Sequence, residues 1–151
     1  MKRLAFLVFS FLAFLLPLTC QARLGDSIAR LQQRYGKALG KRGSWFLFKE
    51  EGYMFEAYLI ANTCEILIVA RTDKNELSQS ERYVFLNKCL PDFKNVEGSN
   101  SEDMRWENSS NGNIAVYDVK IKSLTFTSKK AQTLSYDPYN EFSLDSQTSR
   151  F

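Results

Sequence analysis

The spacing of apolar residues after position 22 predicts a helix followed by three strands. Ser27 can cap a helix whose apolar residues Ile28, Leu31 and Tyr35 fall on one side of a 3.6-residue turn, and Gly36 can end it. Three apolar runs joined by short turns follow, which is typical of an antiparallel meander. They are 44–49, 53–60 and 63–70, with Tyr53, Phe55, Ala57 and Leu59 on one face of the second run and Cys64, Ile66, Ile68 and Ala70 on one face of the third.

The same order of elements returns in the second half. Ser78 and Glu81 match a capping box, and the helix they begin extends to about Lys88 with Phe85, Leu86 and Cys89 as its inner edge. Three further strands are predicted at 104–108, 114–118 and 120–127, the first two joined by an Asn-Gly hairpin at 111–112. The pattern predicts an α+β fold in which antiparallel β-meanders pack against two short helices. It also indicates two αβββ units, 23–72 and 73–128, within one domain of residues 23–135, followed by a C-terminal tail, 136–151.

The first 22 residues have the parts of a secretory signal peptide. Lys2 and Arg3 precede an apolar run, 4–16, and small residues at Cys20 and Ala22 precede a cleavage position. The run is shorter than the about 20 residues that a spanning helix needs. We expect cleavage after Ala22 and an exported protein, periplasmic or extracellular. Lipid attachment at Cys20 and retention as a membrane anchor are the alternatives.

Composition excludes several kinds of catalytic site. The chain has no His, which removes the Ser-His-Asp triad, the Cys-His pair and imidazole zinc sites. No phosphate-binding loop or other catalytic motif is present, so we expect no cofactor, no metal and no enzymatic activity. The alternative is a small secreted hydrolase that uses Ser/Lys chemistry or paired carboxylates, Glu50-Glu51 or Glu102-Asp103.

Positive charge is concentrated early in the chain. Lys2 and Arg3 account for two of the three net positive charges. Five further basic residues form a candidate patch: Arg30, Arg34, Lys37, Lys41 and Arg42. Such a cluster is either a solvated surface or a site for anionic lipid, which makes a peripheral membrane protein one alternative function. Nucleic acid is not an expected partner, because export and a nearly neutral charge both argue against it.

Two cysteines follow the export segment, Cys64 and Cys89. An even number of cysteines in an exported chain favours a disulfide, and closing a loop of about 25 residues could stabilise the fold by roughly 3 kcal/mol. The alternative is two buried free thiols.

Aromatic residues supply the candidate interaction surface. Trp45 and Phe46 in the first strand, and Tyr136, Tyr139 and Phe142 in the tail, could contact a partner. The alternative interpretation places the strand aromatics in the core and uses the tail tyrosines to fasten the tail onto the body.

The beginning of the predicted domain resembles a known group. Arg23-Leu24-Gly25-Asp26-Ser27, then Leu31 and Arg34-Tyr35-Gly36, resembles the start of small secreted bacterial proteins that carry an SmpA/OmlA-like or β-lactamase-inhibitor-like domain. Many of these continue with Pro, where this chain has Lys37-Ala38. The resemblance implies helices packed on an antiparallel sheet and a role in binding other proteins. We therefore expect an exported, non-enzymatic bacterial protein that binds another protein or associates with the envelope.

Overall fold

Residues 23–96 and 103–134 form a broad antiparallel sheet with helices, described from a computed structural model. The helices of this part are α1 (Ile28–Tyr35), α2 (Gln79–Cys89) and α3 (Lys129–Thr133). The strands are β1 (Gly40–Arg42), β2 (Trp45–Glu50), β3 (Tyr53–Ile60), β4 (Thr63–Arg71), β5 (Phe93–Asn95), β6 (Asp103–Asn108), β7 (Ile114–Asp118) and β8 (Ser123–Thr127). The predictions for residues 1–22 and for the segment after 135 lie outside the described residues.

The sheet consists of two meanders joined through their last strands. Its order is β1-β2-β3-β4-β8-β7-β6-β5, and every pairing in it is antiparallel. The prediction of antiparallel meanders with helices is confirmed, although the described chain is mostly sheet. Each meander has four strands where the sequence predicted three. The short edge strands β1 and β5 were missed because their polar sequences show no alternation.

The helix ends agree with the predicted caps. Ser27 Oγ accepts a hydrogen bond from the Arg30 amide, and Gly36 takes the positive φ of 79° that glycine tolerates best. At α2, Ser78 Oγ accepts from the Glu81 amide while the Glu81 carboxylate accepts from the Ser78 amide. Both capping predictions are therefore confirmed, and α2 buries the predicted residues Phe85, Leu86 and Cys89.

A β-bulge divides β4 between the two faces of the sheet. Leu59 pairs with Cys64 but Tyr58 pairs with Ile66, so Glu65 is the additional residue. Cys64 consequently shares the helix-covered face with Leu67 and Val69. The prediction that Cys64 lies with Ile66, Ile68 and Ala70 is wrong, because a bulge reverses the alternation and leaves no signal in the apolar pattern.

The core lies between the sheet and the helices α1 and α2. Tyr35 of α1 stacks on Phe55 with ring centroids 4.2 Å apart, and Phe85 of α2 meets the same ring edge-on at 6.1 Å. The preceding loop is fixed by Tyr117, which has no exposed surface and whose hydroxyl accepts from the Leu77 amide at 3.1 Å. The helix of the second half therefore packs on aromatic residues of both meanders.

The strand predicted at 120–127 begins later, at Ser123. Asp118 Oδ1 accepts from the amides of Lys120 and Ile121, and Lys122 has a φ of 56°. These bonds form an Asx turn, which ends the preceding strand. Ile121 belongs to this turn and is 51% exposed.

Cys64 and Cys89 are both buried and are not joined by a disulfide, so the disulfide hypothesis is wrong for this structure. The Cys64 thiol donates to the Ile66 carbonyl at 3.3 Å within β4. Burial raises the pKa of the Cys64 thiol and raises the pKa of Cys89 to about 12. Both therefore remain protonated near neutral pH, which removes them as nucleophiles.

Reductant should leave the stability of the protein, purified under oxidising conditions, unchanged. A bridge across this loop would contribute about 2–4 kcal/mol, whereas free thiols contribute no cross-link to lose. Urea unfolding with and without reductant, together with thiol titration in the unfolded state, measures the difference. A lowered midpoint after reduction, with fewer than two titratable thiols among Cys64 and Cys89 beforehand, would contradict the structure.

Candidate binding face

The face of the sheet opposite α1 and α2, called the open face below, presents three rows of side chains. The strand register defines each row, because directly paired residues point to the same side. The first row reads Arg42, Trp45, Tyr58, Ile66, Thr127, Ile114, Glu107 and Lys94. The second reads Leu47, Glu56, Ile68, Thr125, Val116 and Arg105, and the third reads Lys49, Met54, Ala70, Ser123 and Asp118.

The rows are apolar in the middle and charged at the sides. Between β2 and β7 they carry aromatic, aliphatic or small residues, with Lys49, Glu56 and Asp118 as the charged exceptions. Near the edges Arg42, Lys49 and Arg105 are exposed. An apolar centre with a charged rim is the usual composition of a protein-binding surface.

Trp45 is the aromatic anchor of this face. Its ring lies 5.0 Å from that of Tyr58 in the same row, and both side chains are partly exposed. Phe46, the other strand aromatic proposed as a contact residue, points to the opposite face and packs against the core. Trp45 therefore lies on the open face and Phe46 on the helix side, while Tyr136, Tyr139 and Phe142 lie outside the described residues.

The candidate basic residues have different surroundings. Arg34 pairs with the buried carboxylate of Asp26 at 2.8 Å, and the more exposed Arg30 approaches the same carboxylate at 3.9 Å. Lys41 lies over the Phe46 ring at 5.1 Å, whereas Arg42, next along β1, points to the open face. Two of the five cations therefore stabilise the start of α1, and two others project to opposite sides of the sheet.

A concavity lies on the helix side, between α1, α2 and the β2–β3 turn. Its volume is about 310 Å³, and Glu50 and Glu51, the carboxylate pair considered for hydrolysis, are among its lining residues. Its third acid is Glu81, which accepts from Tyr53 Oη at 2.6 Å and from the Ser78 amide at 2.7 Å and also pairs with Arg71. These donors lower the pKa of Glu81 to about 2, so it is an ionised structural group and not a proton donor at neutral pH.

Nothing in residues 23–96 and 103–134 forms a cluster of three or more His, Cys, Asp or Glu side chains able to hold a metal ion. Within the same residues, no helix has the length and apolar content to cross a bilayer.

Stability should fall with acid through the Glu81 cluster. The carboxylate has its pKa lowered from 4.5 to about 2 in the folded protein, chiefly by the Tyr53 hydroxyl and then by Ser78. Its contribution is complete above the unfolded value and is lost as the pH falls from about 4.5 towards 2. Glu81→Gln should reduce the slope of the unfolding midpoint against pH in that window. An unchanged slope would contradict the assignment.

The sequence indicated Trp45 as a candidate contact residue but did not predict which other residues share its face of the sheet. The available signal was the alternation of Trp45 and Leu47 with Phe46 and Phe48, which splits the aromatic run between two sides. The strand register was needed to show which side lies under the helices. It also showed the bulge at Glu65, which brings Ile66 and Ile68 into the rows.

Comparisons of the chain with protein-family models, with curated proteins and with solved structures found no match.

Proposed function

We propose that this is an exported, non-enzymatic bacterial protein that binds another protein through its open face. The observation that carries the proposal is the difference between the two sides of the eight-stranded sheet. Helices α1 and α2 cover one side, and the other presents Trp45, Tyr58 and Leu47, all partly exposed. Export itself is supported by the signal-peptide pattern of residues 1–22.

The composition of the rows defines the kind of partner. The partly exposed Trp45, Leu47 and Tyr58 offer aromatic and aliphatic contact area, which favours a folded protein with an apolar patch of its own. Four basic residues, Arg42, Lys49, Lys94 and Arg105, lie towards the two sides, with Glu107 as the acid among them. The preferred partner is therefore a secreted or envelope protein with acidic residues around an apolar centre. An interface of ordinary size buries roughly 800 Å² of each protein, an area that an eight-stranded sheet can supply.

Site-specific photocrosslinking in the export compartment tests this function. A photoreactive residue at Leu47 should yield one recurrent heavier adduct, while the same residue at Val84, 48% exposed on the α2 surface, should not. Leu47→Asp should then reduce recovery of that partner by about tenfold or more, because it places an unpaired charge in an apolar contact. The matched control is Val84→Asp, whose side chain is solvated before and after the change.

Two results would contradict the proposal. Adducts that form from Val84 and not from Leu47 would place the interface on the helix side. Turnover of an added ester, glycoside or phosphodiester substrate that is lost in a Glu50→Gln, Glu51→Gln variant would favour the hydrolase alternative.

A further inference from the structure

The cavity on the helix side of the sheet is lined by four aromatic rings that contact one another. Tyr35 of α1 stacks on Phe55 of β3, and Tyr53 meets Phe85 of α2 edge-on with ring centroids 5.1 Å apart. Phe55 also lies 6.1 Å from Phe85, so the rings join into one aromatic surface. Aromatic faces carry partial negative charge and attract a cation within about 6 Å. This lining therefore suits an apolar or a cationic group.

The charged residues of the lining give the cavity a negative balance. Among the described residues that line it, three are Glu and one is Lys. Glu81 is compensated by its ion pair with Arg71, so the charge that acts on a ligand comes from Glu50 and Glu51. Lys88 offsets one of these two carboxylates. The remaining excess of one negative charge is complementary to a ligand with a single positive charge.

Hydrogen bonds fix the walls of the cavity in place. Tyr53 Oη donates to Glu81 at 2.6 Å, which joins β3 to the first turn of α2. The β2–β3 turn is held by Thr72, whose amide and hydroxyl donate to the Gly52 carbonyl at 2.9 Å and 3.0 Å. Binding in a cavity with ordered walls loses little conformational entropy, so even a small ligand can be held there.

We propose that this cavity binds a small organic cation of the quaternary ammonium class. Its volume of about 310 Å³ lies at the lower end of the roughly 300–1,000 Å³ found for ligand sites. A primary ammonium would need acceptors to replace its hydration, but the Glu81 carboxylate already accepts from Tyr53 and Ser78. A quaternary ammonium has no N–H group and needs only aromatic surface and negative charge. The inference goes beyond the proposed function, because the cavity and the open face lie on opposite sides of the sheet.

Titration of the protein with choline, followed by heteronuclear NMR, tests the site. Choline should cause saturable shifts at the amides of Glu51, Ser80 and Lys88, which line the cavity. The matched ligand is the neutral alcohol in which carbon replaces the quaternary nitrogen of choline. It has the same shape without the charge, so it should bind about fivefold more weakly or less.

A charge-removing double variant measures the contribution of the acids. Glu50→Gln, Glu51→Gln should weaken choline binding about threefold or more and leave binding of the alcohol unchanged. The matched control is Glu76→Gln, Asp92→Asn, which removes the same charge at two exposed positions outside the lining. Its affinity for choline should equal that of the unmodified protein. Far-UV circular dichroism checks that both variants are folded.

Four results would overturn the inference. Equal affinities of the unmodified protein for choline and for the alcohol would make the cavity an apolar site without cation selectivity. The absence of saturable shifts, or shifts confined to amides outside the cavity, would remove the site. An equal loss of affinity in both double variants would assign the attraction to overall charge. No partner protein takes part in these titrations, so the interface proposed for the open face can fail without affecting them.

Discussion

Replacing Tyr117 with Ala should lower the free energy of unfolding by about 3–5 kcal/mol, the range for truncating a large buried aromatic side chain. The ring has no exposed surface and lies under the guanidinium of Arg82, 4.6 Å from the ring centroid. Its hydroxyl is the hydrogen-bond partner of the Leu77 amide in the loop before α2. Truncation would therefore leave a cavity and a buried amide without its acceptor. Urea unfolding monitored by circular dichroism measures the loss.

Tyr117→Phe separates the two contributions. It keeps the ring under Arg82 and removes only the acceptor for the Leu77 amide, which should cost about 1–3 kcal/mol because that group is buried. Arg82 also donates to the Leu77 carbonyl at 2.6 Å, so both backbone groups of this residue are held by side chains. If Phe cost as much as Ala, the ring packing assigned to Tyr117 would be wrong.

Local sequence signals predicted the helix ends well because each cap depends on neighbouring residues. Ser27, Ser78 and Glu81 bond to amides within three residues, so their roles are visible in a short window. The hairpin between β6 and β7 was also predicted locally, but its loop is longer than a two-residue Asn-Gly turn: Asn108 bonds to Asn113 and to Gly112, and Gly112 alone of the Asn-Gly pair has a positive φ, 70°.

Features set by pairing between distant residues were not visible in the same way. The residues of β1 and β5 do not themselves favour a strand. These segments are strands because they pair with the edges of β2, at Phe46, and of β6, at Glu107. The bulge at Glu65 is stabilised by Ser128, 63 positions away, whose hydroxyl donates to the Glu65 carboxylate at 2.5 Å. No pattern within residues 63–70 encodes that contact, and it decides which side chains reach the open face.

The two meanders should unfold as one unit, and Leu67→Ala should destabilise both together. Leu67 has no exposed surface and lies in β4 between Ala57 of β3 and Phe126 of β8, at the junction of the two meanders. Its truncation should cost about 2–5 kcal/mol. The exposed Leu39, 63% accessible, provides the matched control, and Leu39→Ala should change stability by less than about 0.5 kcal/mol.

Each meander contains one tryptophan, so fluorescence can test whether the two meanders unfold in a single transition. Trp45 reports on β2 when Trp106 is replaced by Phe, and Trp106 reports on β6 when Trp45 is replaced by Phe. In each background, fluorescence and circular dichroism should give the same urea midpoint before and after Leu67→Ala, because α2 also ties the halves by packing Phe85 on Phe55. Separate midpoints would mean that the β4–β8 pairing and α2 together do not couple the two αββββ halves. In that case Leu67→Ala would lower the urea midpoint reported by one tryptophan and leave the midpoint reported by the other unchanged.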